Sequence, residues 1–253
     1  MKDFTAKYTD NDEEKILLRK IYDCLQKSEK TYTAVYSHFL TPAEQTLIGA
    51  VDEFRGVIQF MGGYEDAERR LCRVAENEYC QDDGVPIKLY KVYAPQADFS
   101  HRDILGSLMG LGIKREMVGD IQADGETAYF FCHQSAATFI EMNLRKIGKN
   151  RITLNESNSA VMAEPKTIDK NINVSSLRLD SVSAECFGLS RTKAAECIRQ
   201  GLVSVNWLIC TDTAKELKPG DKISLRGKGK ARIGEVSGIS KKGRLFVDIQ
   251  VYI

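Results

Sequence analysis

The sequence predicts an α+β fold arranged in three sections along 253 residues. Three observations indicate this fold. Apolar residues recur at helical spacing near the N-terminus, strand-like and helix-like segments alternate through the middle, and a basic C-terminal third shows two short helices followed by strands. With 43% hydrophobic and 28% charged residues, the composition is that of a globular chain long enough to bury a core.

Residues 1–80 are predicted to form a mainly helical N-terminal domain. The stretch "EEKILLRKIYDCLQK" places five apolar residues on one helical face: Ile16, Leu17, Ile21, Cys24 and Leu25. "TPAE" at 41–44 is a capping box with proline at the first helical position, so a second helix is expected there. A short strand is expected at 56–60.

The charged stretch "YEDAERRLCRVAE", residues 64–76, is predicted to form a further helix. It contains Arg69, Arg70 and Arg73, which could touch phosphate, but a solvated helix face is the favoured interpretation. "CQDDG" at 80–84 then predicts a turn and a domain boundary.

Residues 84–156 are predicted to form a second domain in which strands and helices alternate. The expected elements are strand 87–94, helix 101–112, strand 118–123, strand 127–133, helix 136–148 and strand 151–156. The order β-α-β-β-α-β is typical of a ferredoxin-like sheet with helices on one face, and RNA-recognition modules share it (an RRM-like topology). Many unrelated proteins use this fold, so it indicates no function by itself.

The sequence offers no catalytic constellation. Tyr129, Phe130 and Phe131 are interpreted as core residues, because their strand lacks the basic and aromatic pattern of an RNA-binding strand. His101 is interpreted as a surface or hydrogen-bonded histidine, since no nucleophile lies near it in sequence. The seven cysteines include no C-x-x-C pair and the three histidines have no cysteine spacing around them, so neither a metal nor a cofactor is expected.

The chain is expected to be a cytoplasmic protein with no membrane contact. Its N-terminus lacks the apolar segment of a secretion signal, and its longest apolar runs are too short to cross a bilayer. The scattered cysteines are therefore interpreted as reduced thiols.

Charge divides the chain unevenly. Residues 174–253 hold 14 Lys and Arg against 8 Asp and Glu, a net of +6, whereas residues 1–173 hold 22 against 27, a net of −5. The basic part favours a polyanionic partner. Between the two, the polar segment 157–173 has little periodicity and is predicted to be a linker with room for one strand.

Residues 174–253 are predicted to contain two short helices followed by a small sheet. "SSLRLDSVSAECFGLS" predicts the first helix, and the second runs from an N-cap serine, Ser190, to a C′ glycine, Gly201. Strands are expected in "LVSVNWLIC", with a turn at Asn206, and in "LKPGDKISLRG", "ARIGEVSGI" and "RLFVDIQVYI".

These helices and strands resemble the S-four RNA-binding domain, which occurs in a small-subunit ribosomal protein, in pseudouridine synthases and in some tRNA synthetases. The matching residues are Arg178-Leu179-Asp180, Ser190-Arg191, Ala194, Ile198, Gly201, Val203, Val205-Asn206 and Leu217-Lys218-Pro219-Gly220-Asp221. The sequence departs from the domain at Trp207, where most members have glycine. This ring is expected either to cover the hairpin or to stack on RNA.

The resemblance implies that exposed arginines and a helix N-terminus contact an RNA backbone. Arg191 lies in the first turn of its helix, where free N–H groups and the helix dipole favour phosphate. Arg178 could add a bidentate phosphate contact, although an internal ion pair with Asp180 is the alternative. The RNA-binding residues predicted in this part are Arg178, Ser190, Arg191, Lys193 and Arg199.

The stretch "RGKGKARIGEVSGISKKGR", residues 226–244, has seven basic residues and one acid, Glu235. Its near-matches to nucleotide-binding loops fail, because Leu245 stands where a P-loop needs Ser or Thr and neither segment opens a helix. It is therefore predicted to form two basic loops around a strand and to meet RNA phosphates. The residues concerned are Arg226, Lys228, Lys230, Arg232, Lys241, Lys242 and Arg244.

Across its whole length the chain resembles the bacterial YlmH family, on the stretches "FLTPAEQ", "GGYEDAERR", "HRDILGSLMGLGIKRE", "GDI", "SSLRLD", "VNW" and "RGKGK…SKKGR". The resemblance implies an RNA-binding protein without established catalysis. Such a protein would bind rRNA and tRNA on the large ribosomal subunit that carries peptidyl-tRNA, and would act in the rescue of stalled translation. It also implies that Arg178 and Arg191 are RNA contacts. A monomer is expected.

Two alternative functions stay open at this point. One is an RNA-modifying enzyme of the pseudouridine synthase kind, because such enzymes often carry the same domain. It would need a catalytic aspartate in a "GRLD"-like strand, and the "RLD" at 178–180 lies in the domain's own first helix. The other is a cell-division scaffold, which only the family's gene neighbourhood suggests.

Overall fold

The computed structural model describes residues 4–158, 167–241 and 243–252. The chain divides into two compact units, Met1–Met162 and Ala163–Ile253, and the α+β fold is confirmed. The helices are α1 Asp12–Thr31, α2 Pro42–Gly49, α3 His101–Gly110, α4 Gln134–Asn143, α5 Leu179–Phe187 and α6 Arg191–Arg199. The strands are β1 Val35–Tyr36, β2 Ile58–Met61, β3 Leu71–Val74, β4 Ile87–Tyr93, β5 Val118–Asp124, β6 Thr127–His133, β7 Lys146–Ile147, β8 Asn150–Arg151, β9 Thr153–Glu156, β10 Thr167–Val174, β11 Val203–Val205, β12 Leu208–Ile209, β13 Lys222–Leu225, β14 Gly229–Ile239 and β15 Leu245–Tyr252.

The first unit begins with α1 and α2, both where the sequence predicts them. The side chain of Asn11 caps α1 by accepting from the backbone N–H of Glu13, and Thr41 with Glu44 forms the expected capping box on α2. Ile16 is an exception to the predicted apolar face, because its side chain is half exposed. The subdivision of this unit into domains at 1–80 and 84–156 stays a prediction.

The predicted helix at 64–76 is wrong. Residues 71–74 form β3, the central strand of a sheet ordered β1-β3-β2. The side chain of Asp120 accepts from the backbone N–H groups of Glu68 at 2.7 Å and Arg69 at 3.0 Å, which a helix through 64–76 would need for its own hydrogen bonds. Backbone pairing on both sides of β3 then outweighs the helical propensity of the segment.

The three arginines of this stretch have structural roles, so the interpretation as a solvated helix face is also wrong. Arg69 donates from Nε to the carbonyl of Val118 at 2.9 Å, and its pKa is lowered by burial. Arg70 donates to the carbonyl of Ala67, and Arg73 pairs with Asp82.

The middle of the first unit has the predicted β-α-β-β-α-β order. Its four antiparallel strands lie in the order β5-β6-β4-β9, which is the ferredoxin-like arrangement, and α3 and α4 cover one face. Phe130 lies in the core under the helices, with Ile104 and Ile140 around it. The second helix ends at Asn143, earlier than predicted, and β7 and β8 form a hairpin after it.

The other face of this sheet is also covered. Phe131 is 3% exposed and packs in a cluster with Phe39, Leu71 and Leu89, and the ring of Tyr64 stacks on it with a centroid distance of 5.7 Å. The interpretation of Phe130 and Phe131 as core residues is confirmed, one on each face of the sheet. The surface on which RRM-type domains stack bases is therefore inside the first unit.

The second unit is a six-stranded antiparallel sheet, ordered β10-β15-β14-β13-β11-β12, with a core that contacts α5 and α6 on one face. Its first strand, β10, begins within the segment 157–173, which is predicted to be a linker with room for one strand. Although β10 is polar, it pairs with β15 along its full length, from Thr167 with Tyr252 to Val174 with Leu245. The predicted turn is confirmed: Asn206 and Trp207 both have positive φ, as in a tight hairpin turn.

A Gly63→Ala substitution tests the packing on Phe131. A Cβ at this position would lie 2.2 Å from the Phe131 ring, which is buried and cannot move aside cheaply. We expect the free energy of unfolding to fall by about 1–3 kcal/mol, measured by urea denaturation. Gly106→Ala on α3 is the control, since a Cβ there meets nothing within 4 Å and should stabilise the helix. Equal effects of the two substitutions would contradict the packing described.

Candidate nucleic-acid interface

The carboxylate of Asp180 accepts hydrogen bonds from both Arg178 and Arg191, the two arginines predicted to contact RNA. Arg178, the N-cap residue of α5, donates from Nε and Nη2 to the two carboxylate oxygens, both at 3.1 Å. Arg191, the first residue of α6, donates to the same two oxygens at 3.1 and 3.3 Å. We call these three residues the Asp180 cluster. It shows that the internal ion pair considered for Arg178 is present, and that it includes Arg191 as well.

Burial differs sharply within the Asp180 cluster. The Asp180 side chain is 8% exposed, whereas the side chains of Arg178 and Arg191 are 38% and 52% exposed. Burial alone would raise the pKa of the Asp180 carboxyl, but its hydrogen bonds and charge interactions with both arginines outweigh burial and hold that pKa below its ordinary value. The carboxylate thus stays ionised, and the cluster carries a net positive charge that faces outward.

Each guanidinium keeps donors for a further ligand. A guanidinium has five N–H groups, and each arginine gives two of them to Asp180. Among the described residues no other acceptor takes the rest. Pairing with Asp180 and binding a phosphate are therefore compatible, and the pair fixes the direction of both side chains.

The two helix N-termini beside the cluster differ in the acceptors that their backbone N–H groups bind. At α5 the backbone N–H groups of Leu179 and Asp180 donate to the carbonyls of Lys215 and Thr213. At α6 the side chain of Ser190 accepts from the backbone N–H of Lys193 at 3.2 Å, as its N-cap role predicts. Elsewhere on α6, Lys193 pairs with Glu196 at 2.8 Å, and Arg199 is exposed in the last turn.

The basic residues of 226–244 do not all lie in loops. Arg226 and Lys228 are exposed in the turn between β13 and β14, and Lys241 is exposed in the turn after β14. Lys230 and Arg232 are part of β14 itself, on the face opposite the buried Ala231 and Ile233. Lys242 lies outside the described residues.

Arg244 is engaged within the unit. It forms an ion pair with Glu185 of α5 at 3.6 Å and donates to the carbonyl of Asn173 at the end of β10. It therefore ties the β14–β15 hairpin to its neighbours, a role that the sequence did not predict.

The predicted residues therefore fall on two faces of the second unit. Arg178 and Arg191 lie on the face that carries the helices, whereas Lys230 and Arg232 lie on the opposite face. Sequence reasoning missed a member of that opposite face, Lys222, which pairs with Arg232 across β13 and β14. The alternation in "KISL", with Ile223 and Leu225 buried, is the signal that could have found it.

Trp207 belongs to the same opposite face. Its ring lies 4.9 Å from Nζ of Lys222, which is also 6.0 Å from the ring of Tyr252. Trp207 has a φ of 66°, a conformation that glycine adopts more easily, and its ring remains half-buried. The ring of Trp207 therefore packs against Lys222 of the sheet.

The described residues form neither a metal-binding cluster nor a membrane-spanning helix. No group of three or more His, Cys, Asp and Glu side chains there could hold a metal ion. Within the same ranges, the helices are too short or too polar to span a bilayer. His101 is an exposed first residue of α3.

Comparison with known proteins agrees with this architecture. A family model described as "Putative RNA-binding domain in YlmH" matches residues 81–160, and the S4 domain matches residues 177–223. "Ribosome-associated protein quality control protein P2" of Bacillus subtilis (strain 168) is 31% identical over 230 residues, which cover 88% of this chain and 89% of that protein. The structure of "Cell division protein ylmH from Streptococcus pneumoniae" is similar with a TM-score of 0.50 and 22% identity, over 59% of this chain and 93% of that one. This last likeness concerns the fold alone.

The fold and the Asp180 cluster define a protein with a ferredoxin-like domain followed by an S4 (S-four) domain. Because the Bacillus relative matches nearly the whole chain, the family is also shown. The chain belongs to the YlmH family.

An Asp180→Asn substitution tests the role of the carboxylate in the cluster. The variant keeps the shape of the side chain but loses the charge that both arginines bind, so we expect the free energy of unfolding at pH 7 to fall by about 2 kcal/mol. Because the folded-state pKa of Asp180 is lowered, its contribution is present above about pH 4 and is lost as pH falls through the folded pKa. The difference between wild type and variant should therefore shrink below pH 4 in urea titrations. A difference that stays constant from pH 7 to pH 3 would contradict this.

Proposed function

We propose that this protein binds RNA on the ribosome, with the helix-bearing face of its S4 domain as the principal contact. The Asp180 cluster is the observation that carries the proposal. Its two guanidiniums keep free N–H donors, and Asp180 fixes their directions at the N-termini of α5 and α6. The name of the Bacillus relative, a ribosome-associated quality control protein, supports the ribosome as the location of the RNA.

The contact follows from ordinary phosphate chemistry. A guanidinium binds a phosphate through parallel N–H donors, and the dipole and free N–H groups at a helix N-terminus favour the same charge. Since Asp180 already orders both arginines, less side-chain entropy is lost when RNA binds. Contacts of this kind position a backbone without reading sequence, so specificity would depend on RNA shape.

The remaining predicted residues fit a wider electrostatic surface. On the helix-bearing face we assign Ser190, Lys193 and Arg199 to the RNA contact with the Asp180 cluster. Arg226, Lys228, Lys230, Arg232, Lys241 and Lys242 are assigned to secondary contacts. Arg244 uses only Nη2 for Asn173 and Glu185, so its remaining N–H donors are also assigned to secondary contacts.

We further infer that the RNA is the rRNA of the large subunit together with the tRNA of stalled peptidyl-tRNA complexes. The protein acts there as a cytoplasmic monomer without catalysis. Against the pseudouridine synthase alternative, the aspartate of its "RLD" sequence has both oxygens bound by arginines and is buried, so it is not free for attack on a base. No observation on this chain favours the scaffold alternative. A modified nucleotide missing from a deletion strain would support the enzyme alternative. A septal location independent of RNA binding would support the scaffold alternative.

Replacement of Arg191 by glutamine tests the proposal with little risk to the fold, because Asp180 keeps both of its hydrogen bonds to Arg178. We expect the dissociation constant for purified large ribosomal subunits to rise tenfold or more at low salt, with a salt slope smaller by about 1. Lys218→Gln, which removes one exposed charge from the same unit, is the matched control. Cosedimentation that is equal for the two variants, or a wild-type protein that stays free of large subunits, would refute the proposal.

A further inference from the structure

The first unit contains a part described as a putative RNA-binding domain, yet the usual RNA-binding face of its sheet is closed. Phe131 and Leu89, which would lie under stacked bases, are buried against Phe39 and Leu71. RNA that reaches this unit must therefore use another surface.

A basic hairpin lies on the helix-bearing side of the same sheet. Residues 145–151, "RKIGKNR", hold four cations and no acid, and we call this segment the basic hairpin. All four cationic side chains are exposed: Arg145, Lys146, Lys149 and Arg151. Since residues 1–173 have a net charge of −5, this concentration of positive charge contrasts with the acidic sequence around it.

The fold holds the basic hairpin rigidly. Leu144 and Ile147 are 2% and 1% exposed and belong to the core of the ferredoxin-like domain. Gly148 takes a positive φ of 56° in the turn, and its backbone N–H donates to Oγ of Ser107 on α3. The cations are thus presented from a fixed backbone rather than from a loose loop.

The arrangement of charges within the basic hairpin is unfavourable by itself. Lys146 and Arg151 are paired directly across β7 and β8, so two like charges lie opposite each other. Such a pair destabilises a hairpin. None of the hairpin's four cations forms an ion pair with a carboxylate of the described residues. A local arrangement that opposes stability and lacks a compensating acid indicates a ligand that supplies the negative charge.

The basic hairpin forms one wall of a groove of about 500 Å³. Arg145, Lys146 and Gly148 line it from the hairpin, and Arg102 and Ser107 line it from α3. We call this the Arg102 groove. The carboxylate in its lining, Asp103, is already bound to Ser100 in the capping box of α3. Three cations and one carboxylate therefore line an open groove, which leaves a net charge of +2.

We propose that the Arg102 groove and the basic hairpin are a second RNA-binding surface, which takes the phosphate backbone of an RNA strand. This inference rests on the proposed RNA-binding function and adds a contact in the first unit. Several adjacent cations in an open groove suit a run of phosphates better than an isolated anion.

The test compares two triple variants of the full chain that remove the same charge. The groove variant is Arg102→Gln, Arg145→Gln, Lys146→Gln, and the control variant is Lys20→Gln, Lys27→Gln, Lys30→Gln, three exposed lysines on α1. Affinity for a fluorescent 30-nucleotide RNA hairpin is measured by anisotropy from low to high KCl. We expect the groove variant to bind about tenfold or more weakly than the control variant, with a salt slope smaller by about 2.

Ultraviolet crosslinking to the same RNA carrying 4-thiouridine locates the contact directly. We expect wild-type peptides that contain residues 145–151 to be crosslinked, and the groove variant to lose this crosslink. Thermal unfolding checks the fold, and Lys146→Gln alone should be at least as stable as wild type because it relieves the repulsion with Arg151. Should the triple variant unfold, the anisotropy and crosslinking comparison is made with this single variant against Lys20→Gln.

Three outcomes would overturn the inference. The first is one affinity and one salt slope shared by the groove and control variants, and the second is crosslinks that avoid residues 145–151. The third is a groove variant that binds the RNA normally and loses only cosedimentation with large subunits. The last would identify an acidic protein surface as the ligand. The Arg191→Gln variant tests the proposed function separately in the same anisotropy assay, because its substitution lies in the other unit. If Arg191→Gln loses RNA affinity while the groove variant equals its control, the proposed function stands and this inference fails.

Discussion

A buried carboxylate has to be paired, and in the second unit this requirement falls on Asp180. Its two oxygens accept four hydrogen bonds, two from the N-cap residue of α5 and two from the first residue of α6. One group therefore fixes the start of both helices and the direction of both guanidiniums. Removing both arginines would leave a buried carboxylate without a partner, so the pairing of Asp180 and the exposed positive charge depend on the same residues.

Asp120 has a comparable role in the first unit. It accepts from the hydroxyl of Tyr64 and from two backbone N–H groups, those of Glu68 and Arg69. These bonds hold the chain in a turn, which lets residues 71–74 pair as a strand and brings the Tyr64 ring onto Phe131. The closed face of the ferredoxin-like sheet thus depends on a carboxylate that lies about 50 residues further along the chain.

Local signals in the sequence predicted much of the fold, and distant partners account for what it missed. Helix caps, the β-α-β-β-α-β order and the S4 domain depend on residues close together in sequence, and all could be predicted. The strand at 71–74 was missed, and β10 was expected only as one strand within a linker, because each is a strand only through its pairing partners. For the candidate site, Arg178 and Arg191 could be predicted from the sequence as RNA contacts. Pairing of Arg178 with Asp180 and its binding of phosphate were expected to be alternatives. The geometry of the guanidinium makes them compatible.

Net charge is a poor guide to where RNA can bind on this chain. The field of an exposed charge is screened within about 8–10 Å at physiological salt, so an acidic surface further away than this has little effect on a phosphate. What matters is the charge within one screening length of the backbone. The basic hairpin at 145–151 concentrates four cations and no acid in one short segment, although residues 1–173 are acidic overall. The acidic remainder then limits RNA to the few surfaces where cations are concentrated, which favours a defined orientation over non-specific adhesion.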